Sequence, residues 1–283
     1  MPSVYDLHSH STESDGTLSP QELVAHAVSQ GVSVLALTDH DSTAGIERAR
    51  KTAAEHGITL IPGVEISVSW QRQTVHIVGL NIDINNIELQ DGLSKLREYR
   101  DIRACTISER LEKSGIEGAL AGAKRYATGR LIGRVHFARY LVEIGRAKSV
   151  REVFKKFLVR NKPGYVAGQW ATLEQAVSWI IRSGGIAVIA HPARYKMTAT
   201  RLNRLIQDFK QMGGQGLEVL SGSHSVNEIQ HMTAVALRHE LLASAGSDYH
   251  GPDNPWIEMG RLRDMPVQLM PVWRSSLWPV AGA

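Results

Sequence analysis

The chain has 283 residues, of which 43% are hydrophobic and 21% charged, and its formal net charge is +4. These values are typical of a globular protein with one large core and an appended lobe. No apolar run approaches the roughly 20 residues that cross a bilayer, and the first residues lack a signal-peptide pattern. We therefore expect a cytoplasmic protein that does not bind membranes. The single cysteine, Cys105, excludes an internal disulfide, and no obligate protein partner is evident.

Short apolar runs that end in polar residues recur along the chain, and each predicts a buried parallel strand whose last residues face a common site. In chain order the seven runs are SVYDLHSH, VSVLALTDHD, TLIPGVEIS, TVHIVGLNI, GIAVIAHPAR, GQGLEVLSG and LLASAGSDYH. Helix starts with capping signals lie between the runs, at Ser19 with Glu22, Ser149 with Glu152, Thr172 with Gln175, and Ser225 with Glu228. This alternation predicts an α/β fold, and about seven strands suit a barrel.

The alternation stops between residues 86 and 164, where the periodicity is helical and no strand is predicted. Residues 98–162 carry a net charge of +9, whereas the rest of the chain carries −5. A solvated helical surface and an anion-binding lobe are both compatible with such a run. We expect a barrel of residues 1–85 and 165–283, with residues 86–164 inserted as a basic helical lid or substrate-binding lobe.

The residues that carry chemistry stand at the ends of these runs. His8 and His10 are two positions apart on a predicted strand, so their side chains point to the same side and can grip one ion. Further ligand-type residues end other runs: Asp39 with His40, Glu65, His76, His191, and Asp248 with His250. Strand ends of a parallel barrel gather at one rim, so the sequence predicts a metal cluster there. Mixed imidazole and carboxylate ligands favour zinc, manganese or iron(II) over calcium or magnesium.

The motifs DLHSHSTESDG, TDHD, PGVEIS, HIVGL, IAHP and GSDYH together resemble the polymerase and histidinol phosphatase (PHP) family, in the order that the family has them. The resemblance implies a distorted seven-stranded β/α barrel and two or three divalent ions, with manganese the first expectation and zinc or iron(II) the others. It implies three ligand sets: His8, His10, Glu65 and Asp248 for the first metal, Glu65, His76 and His191 for the second, and Asp15, His40 and His250 for the third. Glu65 would bridge the first two metals.

The insertion motif GRVHFARYLVE and the later AHPARY resemble stand-alone PHP enzymes that act as 3′,5′-nucleoside bisphosphate phosphatases or 5′-to-3′ exoribonucleases. The resemblance implies a phosphoesterase in which a metal-bridging hydroxide attacks phosphorus, and a nucleotide or short 5′-phosphorylated RNA as substrate. The phosphate expected to leave is the 3′-phosphate.

Two groups of residues are the candidates for roles beyond ligation. The predicted substrate contacts are Arg134, His136, Arg194 and His224. The predicted catalytic residues are Asp39, His40 and Glu65. Asp39 could ligate a metal, orient His40 or accept a proton, and the sequence leaves these roles open.

Two other function classes compete with a phosphoesterase. Related barrels that hydrolyse amide or C–N bonds also begin with an HxH pair, but many of them bridge their metals with a carbamylated lysine. Here Glu65 stands at the corresponding place, and no lysine occurs between Lys51 and Lys95. A non-catalytic nucleic-acid-binding protein would use the basic insertion against phosphates, but it would not need the complete ligand set.

Overall fold

A computed structural model describes residues 3–127 and 129–278. The strands are β1 (Tyr5–Asp6), β2 (Val34–Leu37), β3 (Thr59–Trp70), β4 (Gln73–Leu80), β5 (Ile186–Ile189), β6 (Gly216–Ser221) and β7 (Leu242–Gly246). The α-helices are α1 (Pro20–Ser29), α2 (Ile46–His56), α3 (Ile87–Glu112), α4 (Ala119–Tyr126), α5 (Arg134–Glu143), α6 (Val150–Val153), α7 (Leu173–Arg182), α8 (Ala199–Gln211) and α9 (Val226–Arg238). Residues 1–2, 128 and 279–283, which the predicted barrel and insertion include, lie outside the described ranges.

The strands form one sheet in the order of the chain, from β1 to β7. Its edges meet, because the backbone N–H of Leu7 donates to the carbonyl of Ala245, and that of Asp248 donates to the carbonyl of His8, both at 2.9 Å. The result is a nearly closed barrel with surrounding helices, which confirms the predicted seven-stranded α/β fold. Inside the barrel, apolar side chains from several strands form one buried cluster, which includes Leu7, Ala36, Ile61, Val78 and Val188.

The prediction that every strand is parallel to its neighbours is wrong for β4. This strand runs antiparallel to both β3 and β5. The pairs β1–β2, β2–β3, β5–β6 and β6–β7 are parallel. Only Gln71 and Arg72 separate β3 from β4, and both have positive φ, 44° and 64°. A two-residue turn of this kind can join only antiparallel strands, whose twist it matches.

Helix starts follow the capping signals in the sequence. The Ser19 side chain accepts a hydrogen bond from the backbone N–H of Glu22, and the Glu22 carboxylate accepts one from the backbone N–H of Ser19. Thr172 with Gln175 and Ser225 with Glu228 form the same reciprocal pairs. At α6 only half of the predicted box is present, because the Glu152 carboxylate accepts from the N–H of Lys148 rather than that of Ser149.

The helices α3 to α6 lie between β4 and β5, and the described residues of this segment contain no strand. They build a hydrophobic cluster separate from those of the barrel, whose fully buried members include Leu111, Phe137, Leu141 and Val153. The role of this segment as a substrate-binding lobe stays a proposal. Within the described ranges, no helix combines the length and apolarity that a membrane crossing would need.

Candidate metal centre

The predicted ligands meet at the barrel rim because of strand parity. Side chains alternate between the two faces of a strand, so Glu65 shares the inward face of β3 with Ile61, and His76 shares the inward face of β4 with Val78. His76 lies within β4 rather than after its end, because this antiparallel strand begins at the rim where its neighbours end. His8 and His10 follow β1 in the parallel register that joins Ser9 to Tyr249.

His8, His10, Glu65 and Asp248 form the first group of facing ligand atoms. The Nε2 atom of His8 lies 3.4 Å from Glu65 Oε1 and 3.5 Å from Asp248 Oδ1. The Nε2 atom of His10 lies 3.4 Å from Glu65 Oε2 and 3.2 Å from Asp248 Oδ1. None of the four residues is more than 4% exposed. Two imidazoles and two carboxylates thus surround a volume from which water is largely excluded.

Glu65 also faces the second group. Its Oε1 atom lies 2.9 Å from His76 Nδ1 and 2.9 Å from His191 Nε2. Because Glu65 meets imidazoles of both groups, it has the position that a carboxylate bridging two ions requires.

Asp15, His40 and His250 form the third group, and His10 lies against it. Asp15 Oδ1 is 3.2 Å from His250 Nε2 and 3.8 Å from His40 Nε2. Ligand atoms of these three residues and of His10 all lie within 4.8 Å of one another. His40 connects this group to the others, since its Nδ1 is 2.7 Å from Glu65 Oε2. The resemblance did not imply the closeness of His10 to the third set.

The bonding of the centre fits divalent cations. Six of its buried polar atoms lack a well-aligned hydrogen bond to any described residue, although most of them face an oppositely charged group at the distances given above: His8 Nε2, His10 Nε2, Asp15 Oδ1, His40 Nδ1, Glu65 Oε2 and His191 Nδ1. Leaving a buried donor or acceptor unpaired costs about 1–3 kcal/mol, so such a cluster is unstable unless another group satisfies it. Cations would bind these atoms and would also offset the electrostatic repulsion among the three carboxylates.

The pKa values of His10, His76 and Glu65 suit metal binding, which needs neutral imidazoles and ionised carboxylates, whereas nearby carboxylates outweigh burial and raise the pKa of His8, His40 and His250. Burial, ahead of the positive charge of His250, lowers the pKa of His10 to about 3. Burial lowers the pKa of His76 to about 4. Burial alone would raise the pKa of Glu65, but the positive charge of His40 is the largest of the opposing effects, and together they hold that pKa well below its usual range.

Two of the candidate ligands have strained backbones. His191 (φ 30°) and Asp248 (φ 58°) adopt the left-handed conformation, which is sparsely populated by residues with a side chain. Such a residue costs on the order of 1–3 kcal/mol and tends to occur at functional sites. Here the conformation turns each side chain back over the rim directly after its strand.

Comparison with known proteins shows which family has this arrangement. The sequence model of the PHP domain family matches residues 6–222. The chain belongs to the PHP domain family. The predicted family is therefore confirmed, and the matched range includes every candidate ligand except Asp248 and His250, which lie beyond residue 222.

Relatives cover nearly the whole PHP chain. A 3′,5′-nucleoside bisphosphate phosphatase of Chromobacterium violaceum is 49% identical over 271 residues, which are 95% of each protein. The 5′-3′ exoribonuclease Rnm of Escherichia coli is 50% identical over 277 residues, 97% of this chain and 94% of the relative. A solved structure described as an amidohydrolase from Chromobacterium violaceum, with bound sulfate and no metal, has a TM-score of 0.92 at 49% identity and covers 95% of this chain and 94% of its own.

Asp39 does not face the PHP centre as a ligand does. Its Oδ1 accepts hydrogen bonds from the Ser11 backbone N–H at 2.8 Å and the Ser14 hydroxyl at 2.6 Å, and its Oδ2 accepts from the Ser11 hydroxyl at 2.6 Å. Ser14 Oγ lies 3.4 Å from His10 Nδ1. None of these contacts is to His40, so they favour a role that the sequence did not suggest, which is positioning of the loop between His10 and Asp15.

Arg134 and His136 stand at the start of α5, beside Asp15. A Cβ atom added at Gly133, the N-cap of α5, would lie 3.9 Å from Asp15 Oδ2. His136 is buried, and its Nδ1 accepts a hydrogen bond from the Gly133 N–H at 3.0 Å. Burial lowers the pKa of His136 to about 4, so this ring is a neutral helix cap. Its predicted contact with substrate stays a prediction.

Arg194 and His224 follow the fifth and sixth strands. The Arg194 guanidinium donates to Asp248 Oδ2, and the negative charge of Asp248 outweighs the opposing effect of burial and raises the pKa of Arg194. The Nδ1 atom of His224 donates to the Val219 carbonyl at 3.1 Å, and its buried Nε2 has no partner among the described residues. Whether either residue contacts substrate stays a prediction.

Glu218 is the residue that sequence reasoning missed. It lies in β6, is 2% exposed, and its Oε2 accepts from His8 Nδ1 at 3.1 Å and from the His191 backbone N–H at 2.7 Å. A carboxylate on Nδ1 directs Nε2 of the same ring towards a metal. The available signal was a single glutamate inside the apolar strand GLEVLS, since a buried charge needs a partner.

Proposed function

We propose that this PHP chain is a metal-dependent phosphoric ester hydrolase of the cytoplasm that removes the 3′-phosphate from nucleoside 3′,5′-bisphosphates and degrades short 5′-phosphorylated RNA. The observation that carries the proposal is the buried set of facing imidazoles and carboxylates around Glu65, with its unpaired atoms. The names of the Chromobacterium phosphatase and the Escherichia coli exoribonuclease support this choice of substrates.

The residues present fit two or three divalent ions, for which we propose Mn²⁺ ahead of Zn²⁺ and Fe²⁺. His8, His10, Glu65 and Asp248 would hold the first, Glu65, His76 and His191 the second, and Asp15, His40 and His250 the third. When bound, adjacent ions lower the pKa of a shared water towards neutrality and offset charge on the phosphoryl oxygens.

Both proposed activities break the same bond. Hydrolysis joins the oxygen of a water to phosphorus and breaks the P–O3′ bond, which leaves the electron pair and a proton on O3′. With a bisphosphate, the group released from O3′ is inorganic phosphate. With RNA, it is the downstream chain with a new 5′-phosphate. One site can therefore serve both substrates, provided that it recognises the nucleoside 5′-phosphate on the upstream side.

Two arginines of this chain support a pocket for two phosphates. Arg194 touches Asp248, so its guanidinium would lie beside the phosphate that reacts, where fixed positive charge stabilises the developing negative charge. Arg134 lies at the insertion end that contacts the Asp15 loop, with its guanidinium 5.5 Å from the Phe154 ring centre, and would hold the other phosphate. His136 would keep the start of α5 in place, and His224 Nε2 would accept from a substrate hydroxyl.

Phosphate release by the manganese-loaded enzyme tests the proposal. The panel should contain a nucleoside 3′,5′-bisphosphate, the matching 3′- and 5′-monophosphates, a 5′-phosphorylated oligoribonucleotide and an N-acyl amide. We expect the bisphosphate to exceed the 3′-monophosphate by roughly a hundredfold in kcat/KM, since a bidentate arginine–phosphate contact contributes on the order of 2–3 kcal/mol. Arg134→Ala should remove most of that difference, whereas Asp248→Ala should abolish turnover of every substrate.

Equal kcat/KM for bisphosphate and monophosphate would contradict the two-phosphate pocket. Turnover of the amide without release of phosphate would replace the phosphoesterase with the amidohydrolase alternative.

A further inference from the structure

A cavity of about 180 Å³ lies beside the metal centre and takes no part in the function proposed above. Four segments of the chain line it: the loop after β1 at Glu13, the loop after β2 at Thr43, α3 at Gln90 and Arg97, and the segment before α5 at Arg130. Two of these loops also supply candidate ligands. Glu13 is two residues from Asp15. Thr43 is three residues from His40, so the Cα atoms of these two residues are at most about 11 Å apart.

The cavity is positively charged. Neither Arg97 nor Arg130 lies within 4.0 Å of a carboxylate oxygen of any described residue. Among the described residues, the one hydrogen-bond acceptor of Arg97 is the carbonyl of Asp41, at 3.1 Å. Glu13, the acidic residue of the lining, is already paired with Arg48. Two arginines therefore share a cavity in which no carboxylate pairs with either of them.

The positive charge of Arg130 acts on the Arg97 guanidinium. Burial first, and then the positive charge of Arg130, lowers the pKa of the Arg97 guanidinium, and the negative charges of Asp41 and Glu98 oppose this only in part. Holding like charges together destabilises a fold unless an anion joins them. Gln90 and Thr43, which also line the cavity, already have hydrogen-bond partners. Gln90 Nε2 donates to Thr43 Oγ1 at 2.9 Å and to the Ile84 carbonyl at 2.8 Å.

The backbone holds Arg130 at this place. A Cβ atom added at Gly129 would lie 2.0 Å from the carbonyl oxygen of Thr12, so only glycine allows the segment to lie directly on the loop that leads to Asp15. Arg97 is held from the other side through Asp41, the residue after His40. The pair of arginines is thus attached to the two loops that carry ligands of the third group.

We propose that Arg97 and Arg130 form a subsite for a backbone phosphate of an RNA chain, downstream of the phosphate that reacts. This inference rests on the proposed function. In that reaction the downstream chain is attached to the reacting phosphorus, so its next phosphates must pass close to the centre. A nucleoside bisphosphate has no downstream nucleotide and leaves this subsite empty. The cavity therefore separates recognition of oligonucleotides from recognition of mononucleotides.

The test compares Arg130→Gln with a matched control, Arg151→Gln. Both residues are exposed arginines of the basic insertion, but Arg151 lies on α6 and does not line the cavity. The manganese-loaded enzymes are assayed on a nucleoside 3′,5′-bisphosphate and on a 5′-phosphorylated pentaribonucleotide at several salt concentrations. Binding of the same pentaribonucleotide, with a 3′ fluorophore, is measured by anisotropy in EDTA, where turnover stops.

We expect Arg130→Gln to lower the ratio of kcat/KM for oligonucleotide over bisphosphate at least about tenfold, since a charge-assisted contact is lost. The slope of log affinity against log salt should become shallower by about 0.7, the value for one phosphate contact on a single strand. Arg151→Gln should change that ratio by less than about twofold, as surface charges far from a site do.

A ratio that is the same in Arg130→Gln and wild type would overturn the subsite, whether both activities fall together or neither changes. If the wild type hydrolyses the bisphosphate while oligonucleotide affinity is the same in Arg130→Gln and wild type, the inference fails and the proposed function stands. If the wild type hydrolyses neither substrate but the variant still weakens oligonucleotide binding, the proposed function fails and the subsite stands.

Discussion

Glu218→Gln should weaken metal binding while leaving the barrel folded, because Glu218 acts through the ligand residues. The amide that replaces the carboxylate has nearly the same shape and keeps one oxygen for the His191 backbone N–H, which lies 2.7 Å from the carboxylate. It loses the negative charge that lies 3.1 Å from His8 Nδ1 and makes Nε2 the better ligand atom. Removing such a supporting carboxylate usually lowers metal affinity about 10- to 100-fold, or about 1.4–2.7 kcal/mol.

Calorimetric titration of the metal-free protein with Mn²⁺ measures this loss, and activity at increasing Mn²⁺ shows whether excess metal restores kcat. Glu88→Gln is the control, because Glu88 is an exposed partner of Arg182 outside the ligand groups. Unchanged Mn²⁺ affinity in Glu218→Gln, with the wild-type circular dichroism spectrum, would refute the positioning role. A kcat that excess Mn²⁺ cannot restore would indicate that Glu218 acts in the chemical step itself.

Three further changes test other parts of the structure. Asp39→Asn should lower Mn²⁺ affinity through the loop that it holds, and excess metal should restore kcat; a loss that metal does not reverse would show that Asp39 accepts a proton. Phe137→Ala should reduce the free energy of unfolding by about 3–5 kcal/mol in urea melts, because the side chain is fully buried in the insertion core; a loss under about 1 kcal/mol would contradict that packing. Removing metal with EDTA should lower Tm by about 5–10 °C, which is the effect of losing an ion whose free concentration was about a hundred times its Kd. An unchanged Tm would argue against tight binding in the folded state.

Sequence reasoning predicted the features that depend on local pattern. The seven strands and the positions of His8 and Asp248 just after β1 and β7 follow from apolar runs that stop at polar residues, and such runs need no knowledge of the partner strands. Glu65 was also expected at the end of its strand, but it lies within β3, which continues to Trp70. The direction of β4 could not be predicted in this way. Gln71 and Arg72 form the hairpin turn without the glycine or asparagine that usually marks positive φ, so nothing local distinguished the turn from a longer connection.

Features that depend on long-range docking were also beyond the sequence. Glu218 and His8 are far apart in the chain, and only closure of the barrel brings their side chains together. Arg97 and Arg130 likewise belong to a basic segment in which many residues are simply solvated. Their position in one cavity depends on how α3 and the Gly129 segment pack against the ligand loops.

The seam of the barrel determines when the metal centre can form in a newly made chain. His8 and Asp248 face each other across the junction of β1 with β7, although 240 positions separate them. At roughly 5–20 residues per second, the ribosome needs about 10–50 s to synthesise the chain between these two ligands. During that interval the early histidines have no carboxylate from β7 opposite them, and any ion they capture is only loosely held. Metal loading is therefore expected to follow release of the last strand from the ribosome, rather than to guide folding of the first.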